Sequence, residues 1–299
     1  MKVIKVLVFS LLALPYSAFA QNFQINISDA KFTRPLIEKW VTEYKKVVPS
    51  FSAEIVNSPN NANSPVLQIE ASGELSKNNS ENVVKVGRYV LLPIANVKNP
   101  VLSNKKFKRG FNEKQLKELF VQKNLFEENE EEDSDKKLKY TVYSRTGHSA
   151  ETTNLFAHFL NVNPNTFKGK RILGEDTHVL AAVLKDVEAV SFNTPGLIYD
   201  INKRLPLDGL AVLPVDLNND GKVEDSERKT LANLDALTSF LENSKNSLLP
   251  TNDVNIIYHR QNSSLELNNF ISWIESEGQK FVNEYGFLSG QSNLTAEKN

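Results

Sequence analysis

Tyr143-Ser144-Arg145-Thr146-Gly147-His148-Ser149-Ala150-Glu151-Thr152-Thr153 is the stretch on which the reading of this chain turns. Strand-forming residues from Tyr140 to Tyr143 run into a Gly-containing turn. Apolar residues at Leu155, Phe156, Phe159 and Leu160 then follow helical spacing. A strand that turns directly into a helix aims free backbone N–H groups at whatever sits above the turn, and the helix dipole favours an anion there. Arg145 adds a two-pronged donor, and the hydroxyls of Ser149 and Thr152 are placed to finish the shell. The alternative is an ordinary helix cap with a solvated turn, and spacing alone leaves both readings open.

Outward from this turn, strand and helix patterns alternate. Upstream, Ile25 and Ile27 alternate with polar residues as in a short strand. Leu36, Ile37, Trp40, Tyr44, Val47 and Val48 then mark a helix with Pro35 in its first turn and Pro49 at its end. Val66 to Ile69 reads as a strand, and Val83 to Ile94 as one long buried strand. Asn112 and Gln115 form a capping box ahead of Leu116, Leu119 and Phe120. Downstream, Asp176 or Thr177 caps a helix through Val179, Leu180, Val183 and Leu184. Val187 to Phe192, Leu210 to Val215 and Val254 to Tyr258 read as strands, and Leu231, Leu234, Leu237 and Leu241 as one helix. Ser263 and Glu266 cap the last helix, which stops at Gly286. The alternation predicts an α/β fold with mixed sheets flanked by helices.

The chain begins with an export pattern. Lys2 and Lys5 precede the apolar run Val6 to Leu14, Pro15 breaks it, and Ala18-Phe19-Ala20 supplies small residues before a cut at Gln21. Residues 1–20 are therefore expected to be a signal peptide, because the apolar run falls short of the roughly 20 residues that span a bilayer. The expected location is periplasmic or secreted, with no membrane insertion after cleavage. There is no cysteine, so disulfides and thiolate metal sites are excluded. The net charge of −1 offers no global field to attract nucleic acid.

Asp216-Leu-Asn218-Asn-Asp220-Gly221-Lys222-Val223-Glu224-Asp225-Ser226-Glu227 matches the twelve positions of an EF-hand loop. Asp216, Asn218 and Asp220 fall at positions 1, 3 and 5, Gly221 permits the turn, and Lys222 offers its carbonyl. Glu224 stands at position 9 and Glu227 closes the sphere at 12. Pro214 and the strand-like residues before the loop leave no entering helix, and no second loop occurs, so the expectation is one isolated structural Ca2+ clip. The bland reading is an Asp/Asn/Gly-rich turn that binds nothing. Catalysis is not expected: none of His148, His158, His178 and His259 has a metal-site spacing. Ser149 beside His148, the nearest thing to a nucleophile with a base, are sequence neighbours that seldom adopt that geometry.

Several stretches resemble, in order, the PstS-like phosphate-binding proteins of ABC transporters. Ala30 to Leu36 with Lys39-Trp40 and Tyr44 is similar to the family's opening segment. Gly87 to Pro93 with Asn99-Pro100 is similar to its inter-lobe crossing strand, and Asn112 to Phe120 to its following helix. Tyr143 to Phe156 is similar to its phosphate loop, Val187 to Tyr199 to its Gly-Ala-Ile-Gly-Tyr stretch, and Phe270 to Gly286 to its terminal helix. The resemblance implies a two-lobed periplasmic binding protein: a first lobe over 21–95, a second over 96–205 and a return to the first over 206–299. It implies ligand contacts from Lys31, Phe32, Arg145, Ser149 and Thr152. It also implies a phosphate-like anion as ligand, an ABC-transporter permease as partner and a monomeric state. The sequence departs from the family at Lys31, where the family has Thr, and at Gly147, where its loop has Asp. Its Ser-Ser-Gly-Gly stretch and the Asp that accepts the phosphate proton have no counterpart here. The expected function is solute binding, and the alternative is a binding-protein scaffold that has lost its solute and works through protein–protein contact with a structural Ca2+ site.

Overall fold

The computed structural model describes residues 22–28, 30–57, 66–71, 80–104, 107, 110–122, 139–147, 150–218, 220–244 and 249–290. The residues expected to form the signal peptide lie outside this set, as do His148 and Ser149.

Two mixed sheets organise the chain, as the α/β reading predicts. The first contains β1 (Asn22–Asn26), β2 (Ser52–Val56), β3 (Val66–Glu70), β4 (Glu81–Val90), β10 (Thr251–His259) and β11 (Leu288–Ser289), in the order β11-β4-β10-β3-β1-β2. β1 runs parallel to β2 and β3, while β10 is antiparallel to β3 and β4. The second contains β5 (Leu92–Asn96), β6 (Thr141–Thr146), β7 (Lys170–Leu173), β8 (Ala189–Asn193) and β9 (Leu210–Val212), in the order β7-β6-β8-β5-β9. Here β6 is parallel to β7 and β8, and β5 is antiparallel to β8 and β9.

Helices bury their apolar stripes on these sheets. α1 (Arg34–Val47) starts with Pro35 in its first turn and buries Leu36, Ile37, Trp40, Val41 and Tyr44. Trp40 Nε1 donates to the Gly278 carbonyl at 2.8 Å, so the one polar atom of this large side chain is satisfied inside the core. Around it Tyr44, Phe51 and Phe270 pack ring on ring. In the second sheet Phe120, Phe156, Phe167 and Phe192 form the equivalent cluster, with Phe156 and Phe192 stacked at 4.1 Å. α2 (Glu113–Phe120) has the predicted capping box between Asn112 and Gln115. α3 (Glu151–Phe159) and α4 (Asp176–Lys185) follow β6 and β7, and the short α5 (Pro195–Ile198) follows β8.

Several elements differ from expectation for a common reason: apolar spacing does not report where pairing partners change. Val83 to Ile94 is two strands, β4 and β5, and they belong to different sheets. Leu91 sits between them and donates its N–H to the Pro250 carbonyl at 2.9 Å. Val83 is 42% exposed, so the run is buried only toward its end. The helix expected through Leu231 to Leu241 is two, α6 (Asp225–Leu231) and α7 (Leu234–Asn243), because the Asn233 side chain caps the second by accepting from the N–H groups of Asp235 and Ala236. α8 (Leu265–Glu275) is capped by Ser264 and not Ser263. It gives way to 3-10 turns before Gly286, which takes the left-handed conformation at φ 77°. β9, past residue 206, pairs with β5 in the second sheet. β2 and β7 went unpredicted, being short strands at the edges of their sheets with mostly exposed or half-buried residues.

Candidate functional site

Open α/β sheets expose loops to ligands at the carboxyl ends of their parallel strands, and a Lys31–Glu175 contact joins one such turn from each sheet. From the first sheet, the chain leaves β1 and enters a 3-10 turn, Lys31–Thr33, directly ahead of α1. From the second, β6 runs into the Gly147 turn and α3, and β7 into Gly174 and α4.

Lys31 reaches across to the second sheet. Its Nζ lies 3.0 Å from Glu175 Oε1, with both side chains about a third exposed. Glu175 is the N-cap of α4, one residue earlier than the Asp176 or Thr177 expected, and its N–H donates to His178 Nδ1 at 3.0 Å. The Lys31 ammonium holds the Glu175 carboxyl below the usual carboxylate range.

Arg145, on β6, turns to the next residue of the same helix. Its guanidinium is 3.0 Å from Asp176 Oδ2 and also donates to the Gly174 carbonyl. Thr152 donates its hydroxyl to Asp176 Oδ1 at 2.6 Å, and Asn193 donates to the Asp176 carbonyl at 3.1 Å. Asp176 is 6% exposed. Burial pushes its carboxyl up from 3.8, against the opposing pull of Arg145 and the Thr152 hydrogen bond. Thr153 accepts the Arg145 N–H and donates to the Arg145 carbonyl, which fixes the strand end against the start of α3. α3 carries no side-chain cap.

Phe32, just after Lys31, is buried in the core. It lies 4.9 Å from Tyr89 and stacks over Phe287 at 6.0 Å. The Tyr89 hydroxyl donates to the Ala71 carbonyl at 2.8 Å. Burial, with the negative charges of Glu151 and Asp176, drives its titration far up.

Of the predicted ligand residues, Lys31, Arg145 and Thr152 meet at Glu175 and Asp176, Phe32 packs in the neighbouring aromatic core, and Ser149 falls outside the described residues. The donors among them are engaged by the chain's own carboxylates. The sequence marks Asp176 only as a candidate helix cap and does not single out Glu175. The signal that marks them is an acidic pair directly after Gly174, at a helix N-terminus that already faces two cations.

The loop 216–227 lies away from these residues, between β9 and α6. Asp216 is 2% exposed and accepts the N–H groups of Asp220 at 3.2 Å and Gly221 at 2.7 Å. Glu227 is 5% exposed and accepts from Leu217, Asn218 and Glu224. Asn218 accepts from the Asp220 N–H, Asp220 from the Lys222 N–H, and Glu224 pairs with the Lys222 ammonium at 2.7 Å. Gly221 has φ 91°, which admits few other residues. Val223 packs so closely on Gly110 that a Cβ there would come within 2.0 Å of it. Among the described residues, no three His, Cys, Asp or Glu side chains converge as a metal cluster would.

Comparison with solved structures places this arrangement among binding-protein folds. A phosphate ABC transporter substrate-binding protein from Clostridium perfringens, solved with bound phosphate, is 16% identical with a TM-score of 0.61, covering 90% of this chain and 99% of that one. An ABC-type phosphate transport receptor from Vibrio cholerae is 12% identical with a TM-score of 0.55, covering 90% and 100%. A full-length mutant of BenM is 10% identical with a TM-score of 0.52, covering 92% and 72%. At these identities the likeness defines the fold: a two-sheet α/β protein of the periplasmic-binding-protein type. No family model matches the sequence, and neither does any curated protein.

Proposed function

We propose that the chain is an extracytoplasmic, non-enzymatic solute-binding protein of the ABC-transporter kind, holding phosphate or a similar small oxyanion between its two sheets. The observation that carries this reading is the meeting of two cations from opposite sheets. Lys31 after β1 and Arg145 on β6 reach consecutive residues, Glu175 and Asp176. A cation pair drawn from both lobes is what lets an anion hold a hinge closed. The shared fold with a phosphate-bound protein supports the reading, and so does the export pattern over residues 1–20. Among the described residues no helix is long and apolar enough to cross a membrane. An ABC-transporter permease is the partner this function requires, and the chain acts as a monomer.

Titration calorimetry of the purified protein with inorganic phosphate tests it. Heat that weakens in Lys31→Gln and is lost in Arg145→Ala is expected. Because Arg145→Ala strips the partner from a buried carboxylate, the half-exposed Lys31 is the variant that keeps its fold. Absence of heat from a folded protein discards phosphate.

A second reading, the scaffold that has lost its solute, is favoured by one observation: both cleft cations already have carboxylate partners. Lack of binding to every oxyanion by a folded protein would favour it. In either case we propose that loop 216–227 takes Ca2+. Asp216 and Glu227 are buried, and they accept from backbone N–H groups, which satisfy hydrogen bonding without supplying a full positive charge.

A further inference from the structure

Resting on the solute-binding reading, we infer that the cleft selects an oxyanion that also carries an ammonium group, an aminoalkylphosphonate by chemical class, and that Glu175 and Asp176 are the residues that read the positive end.

The argument is one of charge replacement. Where the two sheets meet, two cations and two carboxylates stand in side-by-side pairs, Lys31–Glu175 and Arg145–Asp176, each at 3.0 Å. A bare oxyanion that draws both cations to itself leaves both carboxylates behind. Glu175, 39% exposed at its side chain, can turn to water. Asp176, 7% exposed at its side chain, cannot, and keeps the Thr152 hydroxyl and its own backbone N–H, neither of which carries a full positive charge. A buried carboxylate stripped of its cation is among the costliest states a binding site can enter.

The wider surroundings do not relieve it. Tyr89 stays protonated and neutral, and Glu151 adds another negative charge near it. His178 turns its Nδ1 to the Glu175 N–H at 3.0 Å, so that ring nitrogen is engaged with the backbone and not with Asp176. A solute with an oxyanion at one end and an ammonium at the other exchanges both internal pairs for two new ones and leaves no charge alone. The same acidic pair penalises the simple anion, which is how a site rejects a near relative of its ligand.

Ethylphosphonate and aminoethylphosphonate share the anion and differ in the ammonium, so calorimetry with each, and with phosphate, isolates the inference. Aminoethylphosphonate is expected to bind roughly tenfold or more tightly than ethylphosphonate, the scale set by one partly desolvated ion pair. In Glu175→Gln, which leaves Asp176 and Arg145 in place, that advantage is expected to shrink severalfold. Equal affinity for the two phosphonates, or tighter binding of ethylphosphonate, overturns the inference and leaves the solute-binding reading standing. An unchanged advantage in Glu175→Gln overturns the role of Glu175. No heat from any of the three ligands overturns the inference and discards phosphate and these phosphonates as the solute, while lack of binding to every oxyanion is what overturns the solute-binding reading.

Discussion

Asp176 and Asp216 are both nearly inaccessible to water, at 6% and 2% exposure, and both stand in turns that lead from strand to helix. Their partners differ in kind. Asp176 faces a guanidinium and a hydroxyl, while Asp216 faces backbone N–H groups. Glu227 repeats the second pattern, with three N–H donors. Backbone donors meet the hydrogen-bonding demand of a carboxylate, but each carries only a partial charge. The Lys31–Glu175 and Arg145–Asp176 pairs are therefore electrically closed on themselves, and a solute bound as proposed would have to exchange charge with them. The loop keeps a surplus of negative charge, and a divalent cation would complete it.

Breaking the cleft pair should give the largest effect. Arg145→Met leaves Asp176 buried and without its cation. The expected loss is about 3–5 kcal/mol of unfolding free energy, read from urea or guanidinium curves. Adding Asp176→Asn to the same chain should restore much of it, because the stranded charge then disappears with its partner. A loss under about 1 kcal/mol for Arg145→Met alone would show that something other than the guanidinium neutralises Asp176, and the contrast with Asp216 would fall.

The loop should respond to metal where the cleft does not. Ca2+ at about a hundred times its dissociation constant should stabilise the protein by about 2.7 kcal/mol, seen as a higher Tm that a chelator reverses. Glu227→Gln should abolish the response and leave phosphonate binding untouched, since the loop shares none of the cleft residues. A Tm indifferent to Ca2+ would mean that N–H donors suffice for two buried carboxylates, and the loop is then a turn that binds nothing.

The parts of this molecule that were legible in its sequence are those decided locally. The Asn112–Gln115 box, Pro35 opening α1 and the left-handed Gly286 all rest on contacts within a few residues. So does the strand-to-helix form of the Arg145 turn, which emerged as β6 and α3. What spacing could not carry was partnership across the chain. Val83 to Ile94 looks like one strand because apolar character continues while the pairing strand changes from β10 to β8 and β9. The cleft shows the same limit. Lys31 and Glu175 are 144 residues apart and Arg145 and Asp176 are 31, so side chains that each look like ligand groups are held by two acids, of which the sequence marks only Asp176, and that as a candidate helix cap.

The smallest effect distinguishes the two carboxylates of the cleft by their response to pH. The Lys31 hydrogen bond lowers the Glu175 titration, so its contribution to stability is present above the ordinary value of 4.5 and is lost as pH falls through the folded-state value. Asp176 runs the other way. Burial raises it, so the folded state holds that proton more tightly than the unfolded chain, and stability declines as pH rises from 3.8 toward the folded-state value. In Lys31→Gln the Glu175 titration, followed by carboxyl NMR, should move back up toward 4.5 while Asp176 stays raised, with a stability loss of about 1 kcal/mol or less for so exposed a pair. Movement of both carboxylates together would mean that the two ion pairs act as one unit. Adjacent residues would then not divide the cleft into a solvent-facing pair and a buried one, and a solute could not exchange one pair without the other.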